Sequence, residues 1–263
     1  MRWSVVVPVY NEAAFLPATI ASLAAQTVPF RLILVDNAST DGGIAAAREQ
    51  IAAAGMVAEI LEERTPGQVH ALKRGIDAAA TEFVAICDAD TVYPANYLAV
   101  AERLFDRGGK AVVATSAYLV PEQAGGLKAR LRVLKQRAVL SLLPRQNHVS
   151  GAAHCFRRDA LVRSGGYDAA IWPFVLKDHE LMQRVLHLGR QAHARDLWCV
   201  SSERRVDRKG VRWTLGERIL YHATPFPLKD RLFHGLLARR FSARGQRDTV
   251  LRRQNWAAAS SKA

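Results

Sequence analysis

The chain has 263 residues, 49% of them hydrophobic and 23% charged, a balance that excludes a disordered or fibrous protein and allows one large or two small folded domains. Its formal net charge is +13, yet 15 Lys/Arg against 5 Asp/Glu fall between residues 201 and 263, leaving only +3 for everything before them. The three cysteines, Cys87, Cys155 and Cys199, are far apart, with no CxxC pair and no zinc-like spacing, which argues against a disulfide framework or zinc site and points to reduced thiols in a cytoplasmic protein.

In chain order, residues 4–9 (SVVVPV) form a β-branched run closed by turn residues, 13–26 read as a helix, and 31–36 (RLILVD) repeat the strand pattern. Residues 43–55 are alanine-rich and helical, 57–61 form a weaker strand, Pro66-Gly67 marks a turn, 68–80 read as a helix and 83–87 (FVAIC) as a strand. Strands that are apolar throughout and alternate with helices predict a parallel sheet covered on both faces. Beyond it come a helix at 97–107, a strand at 111–118 and a basic amphipathic helix at 126–143 ended by Pro144. A strand at 152–156, a short helix at 159–164 and a longer one at 178–188 complete the regular part. No run of about 18 uncharged apolar residues occurs, and the N-terminus lacks the basic and apolar regions of a signal peptide.

Polar residues collect where three strands stop: Tyr10-Asn11-Glu12, Asp36-Asn37 and Asp88-Ala89-Asp90. Ligands of open α/β sheets bind outside the carboxyl ends of strands, so three such clusters predict one shared crevice. Asp88 and Asp90 offer hard oxygen donors of the kind that Mg²⁺ or Mn²⁺ shares with substrate phosphates. From spacing alone, the same two residues read equally well as turn-forming aspartates.

The ordered set PVYNE, VDNASTDG and CDADT, each behind a predicted strand, resembles the family 2 glycosyltransferases, and the resemblance extends over about residues 4 to 190. It implies a GT-A fold, a Rossmann-like, mostly parallel sheet flanked by helices, with a basic helical C-terminal extension. The expected division is a glycosyltransferase domain at 1–200, with a nucleotide-sugar-binding half at 1–95 and an acceptor-binding half at 96–200, followed by the extension at 201–263. By resemblance, Pro8, Tyr10 and Glu12 line the nucleotide pocket, Asp36 accepts from base or ribose, and Lys73 or Arg74 reaches phosphate. Asp88, Ala89 and Asp90 hold the donor, with Asp90 the principal and Asp88 a second metal ligand. Asn37-Ala38 departs from the family's usual Asp-Gly.

The segment Lys177-Asp178-His179-Glu180 resembles the family's acidic-pair motif, with Lys177 where an acid is usual. Asp178 is then the expected general base, since a sugar hydroxyl is a poor nucleophile until its proton is removed; N-capping is the structural reading of the same residue. Gly151, Glu180, Arg184, Arg204 and Arg205 are the expected contacts to acceptor or phosphate, Arg204 and Arg205 through a serine and double-arginine element. The implied activity is metal-dependent, inverting transfer from a nucleoside-diphosphate sugar to a saccharide or lipid-linked acceptor, with Mn²⁺ or Mg²⁺ as cofactor. Basic residues interleaved with Trp213, Leu220, Tyr221, Phe226, Phe233, Leu236, Leu237 and Phe241 suit an anionic membrane surface and a peripheral location at its inner face. Two other readings remain open here. A nucleotidyltransferase would also use strand-end carboxylates, but no glycine-rich triphosphate loop follows the first strand. A nucleic-acid or membrane-surface binding protein on a degraded transferase fold would account for the charge, although the basic excess stands apart from the carboxylates and argues against nucleic acid.

Overall fold

The computed structural model describes residues 1–121, 151–202 and 210–253, with scattered positions between 131 and 146. Its first half is the predicted alternation: β1 (Trp3–Val9), α1 (Leu16–Ala24), β2 (Phe30–Asp36), α2 (Gly43–Ala53), β3 (Ala58–Glu62), α3 (Gln68–Ala78) and β4 (Phe83–Ile86). Then follow β5 (Thr91–Val92), α4 (Tyr97–Gly108), β6 (Val112–Ser116), β7 (Tyr118–Pro121), β8 (His154–Arg157), α5 (Arg158–Arg163), α6 (Lys177–Leu186), β9 (Arg190–Ala192), β10 (Trp198–Ser201) and α7 (Leu215–Ala223).

Seven strands form one sheet in the order β3-β2-β1-β4-β8-β6-β9. Only β8 runs against its neighbours; the β1–β2, β2–β3, β1–β4 and β6–β9 pairs are parallel. The apolar runs of the strands follow from burial on both faces. Val5, Val7, Leu32 and Leu34 point to one core with Ile20, Leu23 and Phe105, whereas Val6, Ile33 and Val35 point to the other with Leu72, Ile76, Leu181 and Val185. Helix α3 lies so close to β1 that a Cβ at Gly75 would collide with the Val6 side chain. At the opposite end of the sheet from the strand-end clusters, Arg2 ties the start of β1 to Glu82, Glu102 and Asp106.

The expected single strand at 111–118 is two strands in two sheets. Ala117 donates to Ala153 O and Tyr118 to Leu197 O, so the chain leaves the main sheet there, and β7 joins β10 and β5 in a second sheet of three strands. The helix expected at 126–143 lies mostly outside the described residues.

Residues 211–253 pack on the domain. Trp172 and Val175 form a third core with Tyr221, Leu232, Phe233, Leu237 and Phe241, and Val175 donates to Gln246 O while Asp248 donates to Pro173 O. The aromatic residues read as interfacial are therefore corrected in part. Tyr221, Phe233, Leu237 and Phe241 are buried, while Leu215 and Ile219 on the outer face of α7 remain 72% and 60% exposed. Helix α7 starts at a capping box in which Glu217 N–H donates to Thr214 Oγ1 and Thr214 N–H to Glu217, a pairing worth about 1 kcal/mol.

Candidate functional site

The strand order places β2 and β3 on one side of β1 and β4 on the other, so the crevice opens where β1 and β4 end, at the reversal of strand order. Pro8 marks the parting. The β1–β4 pairing stops at Val6↔Ile86, with Cys87 donating to Val6 O. Pro8, two residues on, turns its missing N–H toward the same side, where no strand waits for it. Beyond it, the first two strand-end loops are stitched together. Asn11 takes a positive φ of 52°, donates from its N–H to Ser39 Oγ and accepts Thr40 N–H on Oδ1. Asp41 accepts from Ala13 N–H at 2.7 Å and from Gly43 N–H at 3.0 Å. Asp36 accepts Ser39 N–H at 2.9 Å, so within VDNASTDG these bonds shape the loop itself.

Asp88 follows β4 and accepts from Gln68 Nε2 at 3.3 Å, at the start of α3. Its N–H donates to the Tyr93 hydroxyl, which in turn donates to Ala152 O. Ala89 is buried, and its carbonyl accepts from Thr19 Oγ1. Asp90 Oδ2 accepts from Ser202 Oγ at 2.9 Å and its carbonyl from Ser202 N–H. The two carboxylates thus hang between α3, the Gly151–Ala153 turn and the end of β10. Their oxygens suit a divalent hard cation. Among the described residues no group of three or more His, Cys, Asp or Glu could enclose one. That donor set fits an ion completed by phosphate oxygens rather than a caged protein metal.

Asp178 is the second residue of α6, which starts at Lys177 behind the left-handed Leu176 (φ 62°). The Asp178 carboxylate accepts the Tyr167 hydroxyl at 2.8 Å and presses against Gly151 so closely that a Cβ there would collide with it. Burial alone would raise its pKa, but Lys177, His154, the Tyr167 bond and His179 together hold it below the usual carboxylate value. Burial and the adjacent carboxylate push the Tyr167 hydroxyl well above its own, so it stays a donor. His154, buried beside them, is pushed down to about 4 by burial and is neutral at pH 7. An ionised carboxylate with one lone-pair direction fixed results.

The other expected site residues are placed as follows. Lys73 is exposed and pairs with Asp77 one turn along α3 at 3.0 Å. Glu180 and Arg184 form a bidentate pair at 2.7 and 2.8 Å inside α6, and Arg184 also donates to Ser164 O and Gly166 O, securing the turn that carries Tyr167. Arg204 and Arg205 lie outside the described residues. Tyr93 and Gln68, which hold Asp88, are not among the expected site residues. Ser202, which holds Asp90, lies in the serine and double-arginine element, whose expected contacts are its arginines, and Asn37 is a hub. Asn37 is buried, donates to Glu63 O and Thr65 O, and accepts Gly67 N–H.

A mostly parallel sheet with this switch point and a carboxylate pair at the end of β4 defines a protein of the GT-A glycosyltransferase fold. Residues 4–164 match the model of Glycosyl transferase family 2, and the chain belongs to that family. Among solved structures it is similar to a mannosyltransferase from Pyrobaculum calidifontis in complex with GDP-Man and Mn²⁺, at 25% identity and a TM-score of 0.65, over 80% of this chain and 58% of that one. It also shares the fold of S. aureus TarS in complex with UDP-GlcNAc, with a TM-score of 0.63 at 18% identity over 92% and 73% of the two chains. A dodecaprenyl-phosphate galacturonate synthase of Rhizobium johnstonii is 36% identical over 95 residues, 34% of this chain and 28% of the relative. An undecaprenyl-phosphate 4-deoxy-4-formamido-L-arabinose transferase of Aeromonas hydrophila is 35% identical over 96 residues, 35% and 29% of the two chains. The chain spans less than a third of the length of these two curated relatives.

Proposed function

We propose that this chain transfers a sugar from a nucleoside-diphosphate sugar to an acceptor hydroxyl with inversion at the anomeric carbon, Asp178 serving as general base. The observation that carries the reading is the run of contacts from Asp88 through Tyr93 and Ala152 to Gly151, which touches the Asp178 carboxylate. It fixes the strand-end aspartates and an ionised carboxylate in one frame. The donor's nucleoside would lie along Pro8, Tyr10, Glu12 and Asp36, its diphosphate toward Asp88 and Asp90. A divalent ion held by Asp90 and Asp88 would neutralise the leaving nucleoside diphosphate. Asp178 would take the acceptor's proton, its other lone pair kept on Tyr167, so that the hydroxyl attacks in line as the sugar leaves. Mn²⁺ in the Pyrobaculum mannosyltransferase supports the metal.

The names of the curated relatives support a lipid-linked acceptor, and the exposed Leu215 and Ile219 beside Arg218 would suit its membrane surface. Among the described residues no helix is long and apolar enough to cross a membrane. The test is thermal stability with UDP-, GDP- and dTDP-sugars, each with and without Mn²⁺. A ligand bound by the native state alone stabilises the fold by mass action, by about 2.7 kcal/mol at a hundredfold excess over Kd, and so raises Tm. The expected result is a shift with one donor class that is lost with chelator; no shift with any donor refutes the reading.

A further inference from the structure

Tyr10 and Asn37, at the ends of the two central strands of the nucleotide-binding half, are both covered by a segment from the far end of the chain, the short helical turn Asp248–Arg253. Arg252 lays its guanidinium over the Tyr10 ring, 3.5 Å from the centroid. The same group donates to Asn37 Oδ1 and, at 3.0 Å, to the Asn37 carbonyl. Four residues earlier, Asp248 accepts Val69 N–H at 3.1 Å and so sets a carboxylate at the start of α3. Gly67 makes room for it: its φ is +136°, and a Cβ there would stand 2.7 Å from Asp248 Oδ2.

The turn therefore offers a planar group to an aromatic face and an anion to the N–H groups opening a helix. A nucleoside diphosphate asks for the same two things, since bases stack on aromatic rings and phosphates settle on helix N-termini. One face of Tyr10 cannot hold a guanidinium and a base together. We propose that the Asp248–Arg253 turn is a strap that occupies the nucleoside seat in the resting chain and is displaced by the donor, a regulation of the site that rests on the donor reading above. The Asp248 N–H on Pro173 O and Val250 against the third core hold its outer side, and toward the strand ends its anchors are few: one ring contact, two bonds to a single asparagine and one carboxylate on an N–H. Such contacts can yield to a ligand that makes the same ones better.

The experiment is calorimetric titration of UDP and of GDP, with Mn²⁺, into the full chain and into Arg252→Ala and Asp248→Ala. A strap that competes reduces apparent affinity by the fraction of chains it leaves open, so both variants should bind roughly three- to thirtyfold more tightly. In the unaltered chain, hydrogen exchange over residues 248–253 should rise when nucleotide is added. Equal or weaker binding by Arg252→Ala, or exchange that falls on nucleotide addition, overturns the strap; weaker binding would make Arg252 part of the donor site instead. If neither the unaltered chain nor the variants bind any nucleotide, the donor reading fails and the strap fails with it. Nucleotide bound by all three with equal affinity removes the strap alone.

Discussion

At the scale of single residues, the site turns on how Asp178 is kept ionised. Its carboxylate is half-buried, which by itself favours the protonated form, and the balance is reversed by Lys177, His154, the Tyr167 hydroxyl and His179. A base whose folded pKa is depressed is ready at every pH above that value and fails only as pH falls through it. Lys177, unusual at its position, thus has an electrostatic consequence that the motif alone left undecided. Removing the Tyr167 hydroxyl takes away a bond to the charged form, so Tyr167→Phe should move the acid limb of the pH–rate profile upward by about one pH unit. Donor KM should stay constant, because the hydroxyl lies on the base and not on the donor carboxylates. A limb that does not move would remove Tyr167 from the base's environment.

At the scale of elements, α6 is held by a buried charge cluster. Glu180 is only 1% exposed and pairs with Arg184, while His234 approaches the same carboxylate at 3.3 Å from the π-helical stretch Leu232–Leu237. Truncation to Ala would strand Arg184, so Glu180→Ala should cost about 3–5 kcal/mol and lower Tm well beyond the loss from any exposed pair. Burial tends to raise Glu180, but His234 and Arg184 bring it below its ordinary value, and the bond to Glu180 raises His234. The signs give a window. The Glu180 contribution is present above the usual carboxylate value and is lost as pH falls through its lowered pKa. The His234 contribution is complete below about 6.5 and is lost as pH rises through its raised one. Tm should therefore decline as pH rises above about 6.5 through the raised His234 value, and His234→Asn should abolish that decline; an unchanged slope would contradict the pairing.

Elements were legible where pattern is local. Strands β1, β2 and β4 are mainly apolar because both faces are buried, and the polar clusters at their ends, Tyr10-Asn11-Glu12, Asp36-Asn37 and Asp88-Ala89-Asp90, are visible as the points where that pattern stops. The split at Ala117 was not, since residues 112–121 read as one unbroken run with no Gly, Pro, Asn or Asp at the junction, and β6 and β7 part only because Ala153 O and Leu197 O accept from adjacent residues. Strand β9 has three residues and β5 two, too few for any alternation to show. The contacts that complete the site were hidden for a related reason. Ser202 reaches Asp90 across 112 positions and Arg252 reaches Asn37 across 215, and neither leaves a periodic trace. Asn37 looked like a minor departure from an Asp-Gly loop, yet the amide alone can donate to two carbonyls and accept from Gly67 N–H at once.

At the scale of the whole molecule, the charge excess after residue 201 takes on a different meaning once the chain is folded. Read from sequence, it is a field for polyanions; in the structure, part of it is internal. Arg244 and Arg240 serve the buried Glu217, and Arg252 lies on Tyr10. What stays outward on α7 is Arg218 beside Leu215 and Ile219. The sheet order supplies the crevice, the second half brings Asp178 to it, and residues 248–253 lie over the Tyr10 and Asn37 strand ends. The claim that joins these is that a carboxylate at the start of α6 activates the acceptor while the strand ends hold the donor. Its most direct test is Asp178→Asn, with nucleoside diphosphate release in the presence of acceptor and donor Kd measured on the same preparation. Transfer should fall by roughly 10²- to 10⁴-fold while donor Kd stays unchanged; transfer that persists, or donor binding lost in the same proportion, would refute Asp178 as the base.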